Sequence, residues 1–297
     1  MDQAEGLRKL VGDMRPPVSP KVKQLPVSGR GQKIISVTSG KGGVGKTNFS
    51  VNLGIALQKK GAKVLIFDAD IGLANVNLLM GKNFVPEFNL THFVNGKKSL
   101  PEIITRGPFG INVIAGASGL LELIDMSEKK KDDIIKTIGS IERDYDYVIF
   151  DTGAGISKTV LQFNLAADDI IIITTPEPTS ISDAYGMIKA ISKRMQAPRI
   201  KLVINRIRSL KEGRIVSEKI IDTASSFLNV RTQLLGFIPE DRKLQRSVAK
   251  REPFYTAYPA SAAAKCIDII SGKLSNEVIS GKKGLKGFLT NILKAVK

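Results

Sequence analysis

Eight residues constrain this chain more than any others: Gly40, Lys41, Gly42, Gly43, Val44, Gly45, Lys46 and Thr47. They follow the spacing glycine, four residues, Gly-Lys-Ser/Thr, which is the form of a phosphate-cradling loop. Ile34, Ile35 and Val37 make a short apolar, β-branched run before the loop, and Val51, Leu53, Gly54, Ile55 and Leu57 make a helix-like stretch after it, broken at Gly61. Strand, glycine loop and helix are what the chemistry requires. Glycines let successive backbone N–H groups curl around phosphate oxygens, and the helix N-terminus adds its positive end. Lys46 is placed to reach the β- and γ-phosphates, and Thr47 to offer its hydroxyl to Mg²⁺. A glycine-rich stretch without this spacing is ordinarily a turn. In this setting it predicts a nucleoside triphosphate site.

The rest of the chain supplies a fold that could carry such a site. Apolar runs recur at Val64–Phe67, Ile111–Ile114, Tyr147–Phe150, Ile170–Ile173, Lys201–Ile204 and Leu234–Phe237, with helix-like stretches around 132–143, 182–195 and 215–228. Continuous apolar strands joined by helical crossovers predict an α/β fold: a doubly wound, mostly parallel sheet with helices on both faces. No internal repeat interrupts it. A further helix is expected over 259–274, rich in alanine.

The ends read differently. Residues 1–14 have Ala4, Leu7, Leu10, Val11 and Met14 on one helical side, and Pro16-Pro17 stops that pattern; residues 15–32 then form a proline-rich linker. The folded domain is expected over 33–274. Residues 275–297 are expected to be a linker and a C-terminal amphipathic helix, with Leu285, Phe288, Leu289, Ile292, Leu293 and Val296 stepping by three and four beside several lysines.

Composition excludes several chemistries. A single cysteine, Cys266, leaves no internal disulfide and no cysteine-rich metal cluster, and is expected to be a small buried apolar residue; a single histidine, His92, leaves no histidine-based triad or metal site. No apolar run approaches the roughly 20 residues of a spanning helix, and the N-terminus lacks a secretory layout, so a cytoplasmic location is expected. The net charge of +17 favours a polyanionic partner, nucleic acid or an anionic membrane face, without choosing between them.

Ligands of parallel α/β sheets sit at the carboxyl ends of the strands. Asp68 and Asp70 close the second run, Asp151 closes the Tyr147 run and Asn205 the Lys201 run. One such aspartate is often only a cap or turn residue. Several converging on one phosphate loop point to a site, with Asp151 the natural group for Mg²⁺ and its waters.

These residues resemble the MinD/ParA ATPases. Lys41 inside the loop is the mark of their deviant Walker A motif, residues 67–75 look like their switch I, and 151–155 look like switch II, although Gly153 stands where MinD-type proteins usually carry proline. The resemblance implies that ATP and Mg²⁺ are the cofactors. It also implies that Asp70 activates or orients the attacking water, and that Lys41 contacts phosphates across an ATP-dependent homodimer. Asn205 would read adenine, beside Pro239 and Asp241. Asp2-Gln3-Ala4-Glu5-Gly6-Leu7-Arg8 further resembles the N-terminal motif of the FlhG (FleN, YlxH) group, MinD-like regulators of flagellar number and placement. That implies a partner-binding role for Gln3, Leu7 and Arg8 toward the SRP-type GTPase FlhF, and further partners among flagellar switch-complex (C-ring) proteins or a flagellar transcription regulator. The terminal helix resembles the group's membrane-targeting helix, which implies peripheral attachment to anionic inner-membrane lipids in the ATP state. A ParA-type partitioning ATPase that binds DNA, a MinD-type division-site regulator and a non-hydrolysing scaffold are the competing readings; DNA is not the main partner expected.

Overall fold

The computed structural model describes residues 31–70, 75–116, 118–122, 126–277 and 284–294. The expectations for Gln3, Leu7, Arg8 and Val296 concern residues outside them, as does that for the side chain of Leu293.

Eight strands form one sheet: β1 Lys33–Ser39, β2 Val64–Ala69, β3 Ile104–Arg106, β4 Asn112–Ile114, β5 Tyr147–Ala154, β6 Asp169–Thr174, β7 Ile200–Ile207 and β8 Thr232–Pro239. Their order is β3-β4-β2-β5-β1-β6-β7-β8. Every pairing is parallel except β3 with β4. The longer helices are α1 Lys46–Lys59, α2 Glu128–Gly139, α3 Lys158–Ala166, α4 Pro178–Ser192, α5 Leu210–Leu228, α6 Arg242–Lys250, α7 Ala262–Ser275 and α8 Gly284–Lys294. This is the expected doubly wound architecture. Among the described residues, no helix is long and apolar enough to cross a membrane.

The central strands are apolar throughout because both faces are covered, and their alternation separates two hydrophobic clusters. Ile35 and Val37 of β1, Val64 and Ile66 of β2 and Ile149 of β5 join a cluster that includes α1 and α7. Ile34, Leu65, Phe67, Val148 and Phe150, one residue out of step, join the cluster built with α2, α3 and α8. Cys266 is buried in the first cluster, where burial pushes its thiol up to about 12, so it behaves as a small apolar side chain. His92 serves a structural purpose too, exchanging hydrogen bonds with Asn89 in a helix-capping box.

The C-terminal helix is docked on its own domain: Leu285, Phe288, Leu289 and Ile292 are all buried within it. The Phe288 ring lies 4.2 Å from that of Phe150 and 6.4 Å from that of Phe163. A stripe at helical spacing fits a groove on its own sheet as well as it fits a bilayer, and here the groove holds it. The packed domain therefore does not end at 274.

The amino ends of the strands, opposite the phosphate loop, tie down the chain on either side. Lys33 and Lys201 each place their ammonium 2.8 Å from Asp169, and both also meet Glu277 just beyond α7. Burial alone would lower the pKa of Lys33, but Asp169 and Glu277 outweigh it and raise it. Gln32 donates to the carbonyls of Glu142 and Tyr145, and the Glu142 carboxylate accepts from the backbone N–H of Lys286 in the first turn of α8. Entry to β1 and the seat of α8 thus share one turn.

Candidate functional site

The loop 40–47 joins β1 to α1 at the carboxyl edge of the sheet. Gly45 has φ 100°, the left-handed conformation that turns the chain into the helix. A side chain at Gly40 would collide with the backbone of Asp183, so α4 lies directly against the loop. Ser39 donates its hydroxyl to the carbonyl of Lys41 at 2.7 Å and holds the first bend. Lys46 is buried, and burial lowers its pKa against the pull of Asp151 and Asp70.

Asp151 lies in register with Val37 on β1 and with Asp68 on β2. Its Oδ1 accepts from Ser50 at 2.7 Å, and the Thr47 hydroxyl hydrogen-bonds to its carboxylate as well. Its Oδ2 is buried with no hydrogen-bond partner in the protein. Burial pushes Asp151 up to about 6 and Asp68 up to about 7, the latter also raised by the Asp151 carboxylate. An orphaned carboxylate oxygen beside a threonine hydroxyl, with carboxylates held above their usual range, is the donor set of a cation site. It fits Mg²⁺, which takes few protein ligands when phosphate and water supply the rest.

A pH test follows. The folded protein keeps a proton on Asp68 that the unfolded chain releases near 3.8, so this group's contribution to stability is present below about pH 4 and is lost as pH rises toward 7. Asp68→Asn should therefore melt at a higher temperature than the parent at pH 8, with the gap closing toward pH 5. An equal gap at both values in thermal melts would remove this account of Asp68.

Lys41 does not lie over its own loop. Its ammonium is 2.7 Å from a Glu177 carboxylate oxygen and 2.9 Å from the Thr179 hydroxyl, and the side chain is 38% exposed. Lys41 holds the Glu177 carboxyl below its usual range.

Asn205 braces the loop. Its Nδ2 donates to the Val44 carbonyl at 2.7 Å and its Oδ1 accepts from the backbone N–H of Arg206, leaving one side-chain N–H for a ligand. Arg206, with φ 58°, extends its guanidinium to the Gly43 carbonyl. Beside the loop opens a cavity of about 340 Å³, lined by Asn48, Phe49, Asn205, Arg206, Ile238 and Pro239 among others. Pro239 is therefore at the pocket wall. Asp241 is there too, but its carboxylate accepts from the Lys243 N–H and caps α6.

Ser50, Glu177 and Thr179 are additions to the residues expected from sequence. Ser50 lies one helical turn beyond Thr47, and Glu177 follows the carboxyl end of β6, so both positions obey the rules that selected Thr47 and Asp151.

A family profile described as an AAA domain matches residues 32–204. The chain is 35% identical over 244 residues to the antiactivator FleN of Pseudomonas aeruginosa, covering 82% of this chain and 86% of that protein. It is 38% identical over 270 residues to the flagellum site-determining protein YlxH of Helicobacter pylori, covering 88% and 90%. The chain belongs to the FleN/YlxH group of MinD-like ATPases. The fold agrees: the MinC:MinD cell division complex of Aquifex aeolicus matches with a TM-score of 0.65 and 29% identity, covering 85% of this chain and 99% of the matched one. In this MinD-like ATPase the profile spans the loop, Asp68, Asp70, Asp151 and Glu177 and stops one residue before Asn205.

Proposed function

We propose that this MinD-like flagellar regulator is an ATP-driven switch that dimerises on ATP, hydrolyses it slowly, and acts at the cytoplasmic face of the membrane on flagellar number or placement. The observation that carries the reading is Lys41. A loop lysine held off its own phosphate cradle by Glu177 and Thr179, and partly exposed, suits transfer to the nucleotide of a second copy, much as an arginine finger is supplied in trans.

Within one subunit the roles follow from position. Backbone N–H groups of 40–47 bind the phosphates, Lys46 neutralises the outer ones, and Asp70, whose charge acts on Lys46 and Asp151, orients the attacking water. Thr47 and Asp151 would hold Mg²⁺, which when bound neutralises charge on the phosphate oxygens. Asn205 offers its remaining N–H to adenine above Pro239, while Asp241 supports the base pocket by capping α6.

The tails couple the switch to its surroundings. On this reading Gln3, Leu7 and Arg8 engage FlhF, and the folded domain meets a C-ring protein or a transcription regulator; the names antiactivator and site-determining protein borne by the relatives support both kinds of output. Helix α8 acts on the membrane only after leaving its groove. One such helix binds an anionic surface weakly and reversibly, and two in a dimer gain avidity.

Vesicle sedimentation tests this. With Mg²⁺ and a slowly hydrolysed ATP analogue, the protein should pellet with anionic vesicles far more than with ADP, and removal of 284–297 should abolish the difference. Nucleotide-independent pelleting, or salt-sensitive DNA binding that survives the truncation and dominates, would favour the partitioning reading.

A further inference from the structure

The cavity beside the phosphate loop uses one side of helix α6 and leaves the other unexplained. Leu244, Gln245 and Val248 line the cavity, and Leu244 also packs against the core cluster that includes α1 and α7. At about 3.6 residues per turn, Arg242, Lys243, Arg246 and Lys250 fall within about 100° of arc on the opposite side, and all four are exposed. Arg251, the left-handed C-cap, adds a fifth exposed cation. No acidic residue lies between 242 and 251. Acidic residues stand only at the ends: Asp241, whose carboxylate accepts from the Lys243 N–H, with Glu240 before it and Glu252 after the row. Among the described residues, none of the five cations makes an ion pair.

Such a row has a cost. Arg242 with Arg246, and Arg246 with Lys250, are like charges four residues apart, a spacing at which they destabilise a helix. A polyanion laid along the row relieves that repulsion, and the geometry selects which kind. A helix that lies on a membrane buries its apolar side among the lipids, but the apolar side of α6 is committed to the cavity and the core. A protein interface depletes charge at its centre and relies on apolar and aromatic anchors, whereas Ala249 is the one uncharged residue on the exposed arc. Nucleic acid needs neither an apolar face nor an anchor. From Arg242 to Lys250 the row runs about 12 Å, and a duplex offers one phosphate per about 1.7 Å of its axis. Arginine forks and lysine ammonium groups both bind phosphate oxygens without reading bases.

We infer that the outer side of α6 is a contact surface for the phosphate backbone of nucleic acid, engaged without regard to base sequence. This goes beyond the membrane switch and depends neither on α8 nor on the roles given to Lys41 and Asp70. Binding through a few phosphates is weak at physiological salt, so the surface adds a second polyanion to the membrane rather than replacing it.

The experiment compares the full-length parent with a variant carrying Arg242→Ala, Arg246→Ala and Lys250→Ala. A second variant, with Lys129→Ala, Lys130→Ala and Lys136→Ala, removes the same charge from exposed positions on α2. Alanine is a strong helix former, so both variants should keep their helices. Binding to a short fluorescent DNA duplex of random sequence is read by anisotropy over a salt series, without nucleotide. Pelleting with anionic vesicles is read with Mg²⁺ and the slowly hydrolysed ATP analogue. Each lost phosphate contact lowers the salt slope by about 0.9, so the α6 variant should lose about 2.7 from the slope and roughly tenfold or more in affinity at low salt. The α2 variant should keep the parent's slope, and vesicle pelleting of the α6 variant should match the parent's. A parent that does not bind the duplex at low salt overturns the inference, as does an α6 variant that binds like the parent. Equal losses in the two variants overturn it as well, because net charge alone would then explain the binding. A loss of vesicle pelleting as large as the loss of duplex binding assigns the row to lipid phosphate and overturns it in favour of the membrane.

Discussion

Lys41→Ala should lower ATP turnover by about 10³-fold, the scale of a charge supplied in trans to a phosphoryl-transfer site, while ATP binding by the single subunit changes little. The asymmetry follows from where the ammonium sits. Lys46 is buried at the foot of α1 and belongs to its own loop, whereas Lys41 reaches outward to Glu177 and Thr179 on the approach to α4. Removing it should leave the cradle intact and the second subunit's site unfinished. Mixing decides whether the action is in trans. A dimer of Lys41→Ala with Asp70→Ala contains one site with its own Asp70 and the other copy's Lys41, so phosphate release should reappear on mixing two inactive variants. If Lys41 served its own nucleotide, each site in that mixture would lack one group and none would recover. Glu177→Ala supplies a further control: it frees Lys41 without removing it, and should not reproduce the loss.

Phe288→Ala should destabilise the domain by about 3–5 kcal/mol, the range for truncating a buried aromatic side chain. Phe288 lies over Phe150 and near Phe163, and Leu285, Leu289 and Ile292 are buried along the same side of α8. The loss cannot exceed the docking energy of the helix, because beyond that point α8 leaves the groove and the sheet keeps the rest of its core. Urea unfolding of Phe288→Ala beside Thr290→Ala, a half-buried control, measures it; equal midpoints would mean that α8 is not seated as described. Gly284→Ala probes the same seat from its hinge. Gly284 has φ 57° and lies against the Glu142 carboxylate, so a side chain there meets both strain and collision. That variant should loosen α8 and raise vesicle binding without nucleotide.

The phosphate loop, the order of strands and helices and the polar groups at strand ends were legible in the sequence because each follows from local chemistry. Runs such as Ile170–Ile173 have few alternatives to a strand buried on both faces. The edge strand β3 was missed: Ile104–Arg106 is three residues long, only partly buried, and antiparallel to β4, so it has neither the length nor the apolar run of the others. Asn205 was recognised as a site residue, but its hold on the Val44 carbonyl depends on β7 passing the loop, which no spacing encodes. The partner of α8 was illegible for a related reason. Periodicity identifies which side of a helix is apolar, and says nothing of whether lipid or Phe150 will cover it.

The seat of α8 also bears on how the chain is made. Its groove is framed by Ile34, Phe150 and Phe163 from the first half and middle of the sequence, but the helix that fills it, Gly284–Lys294, follows much later in the chain. At bacterial elongation rates of up to about 20 residues per second, the stretch from Phe163 to Ile292 takes several seconds to synthesise. Throughout that time α8 is not yet available to cover these side chains. A nascent chain therefore lacks for a time the helix that covers these apolar side chains, and a transcript truncated before residue 284 would lack it for the life of the protein.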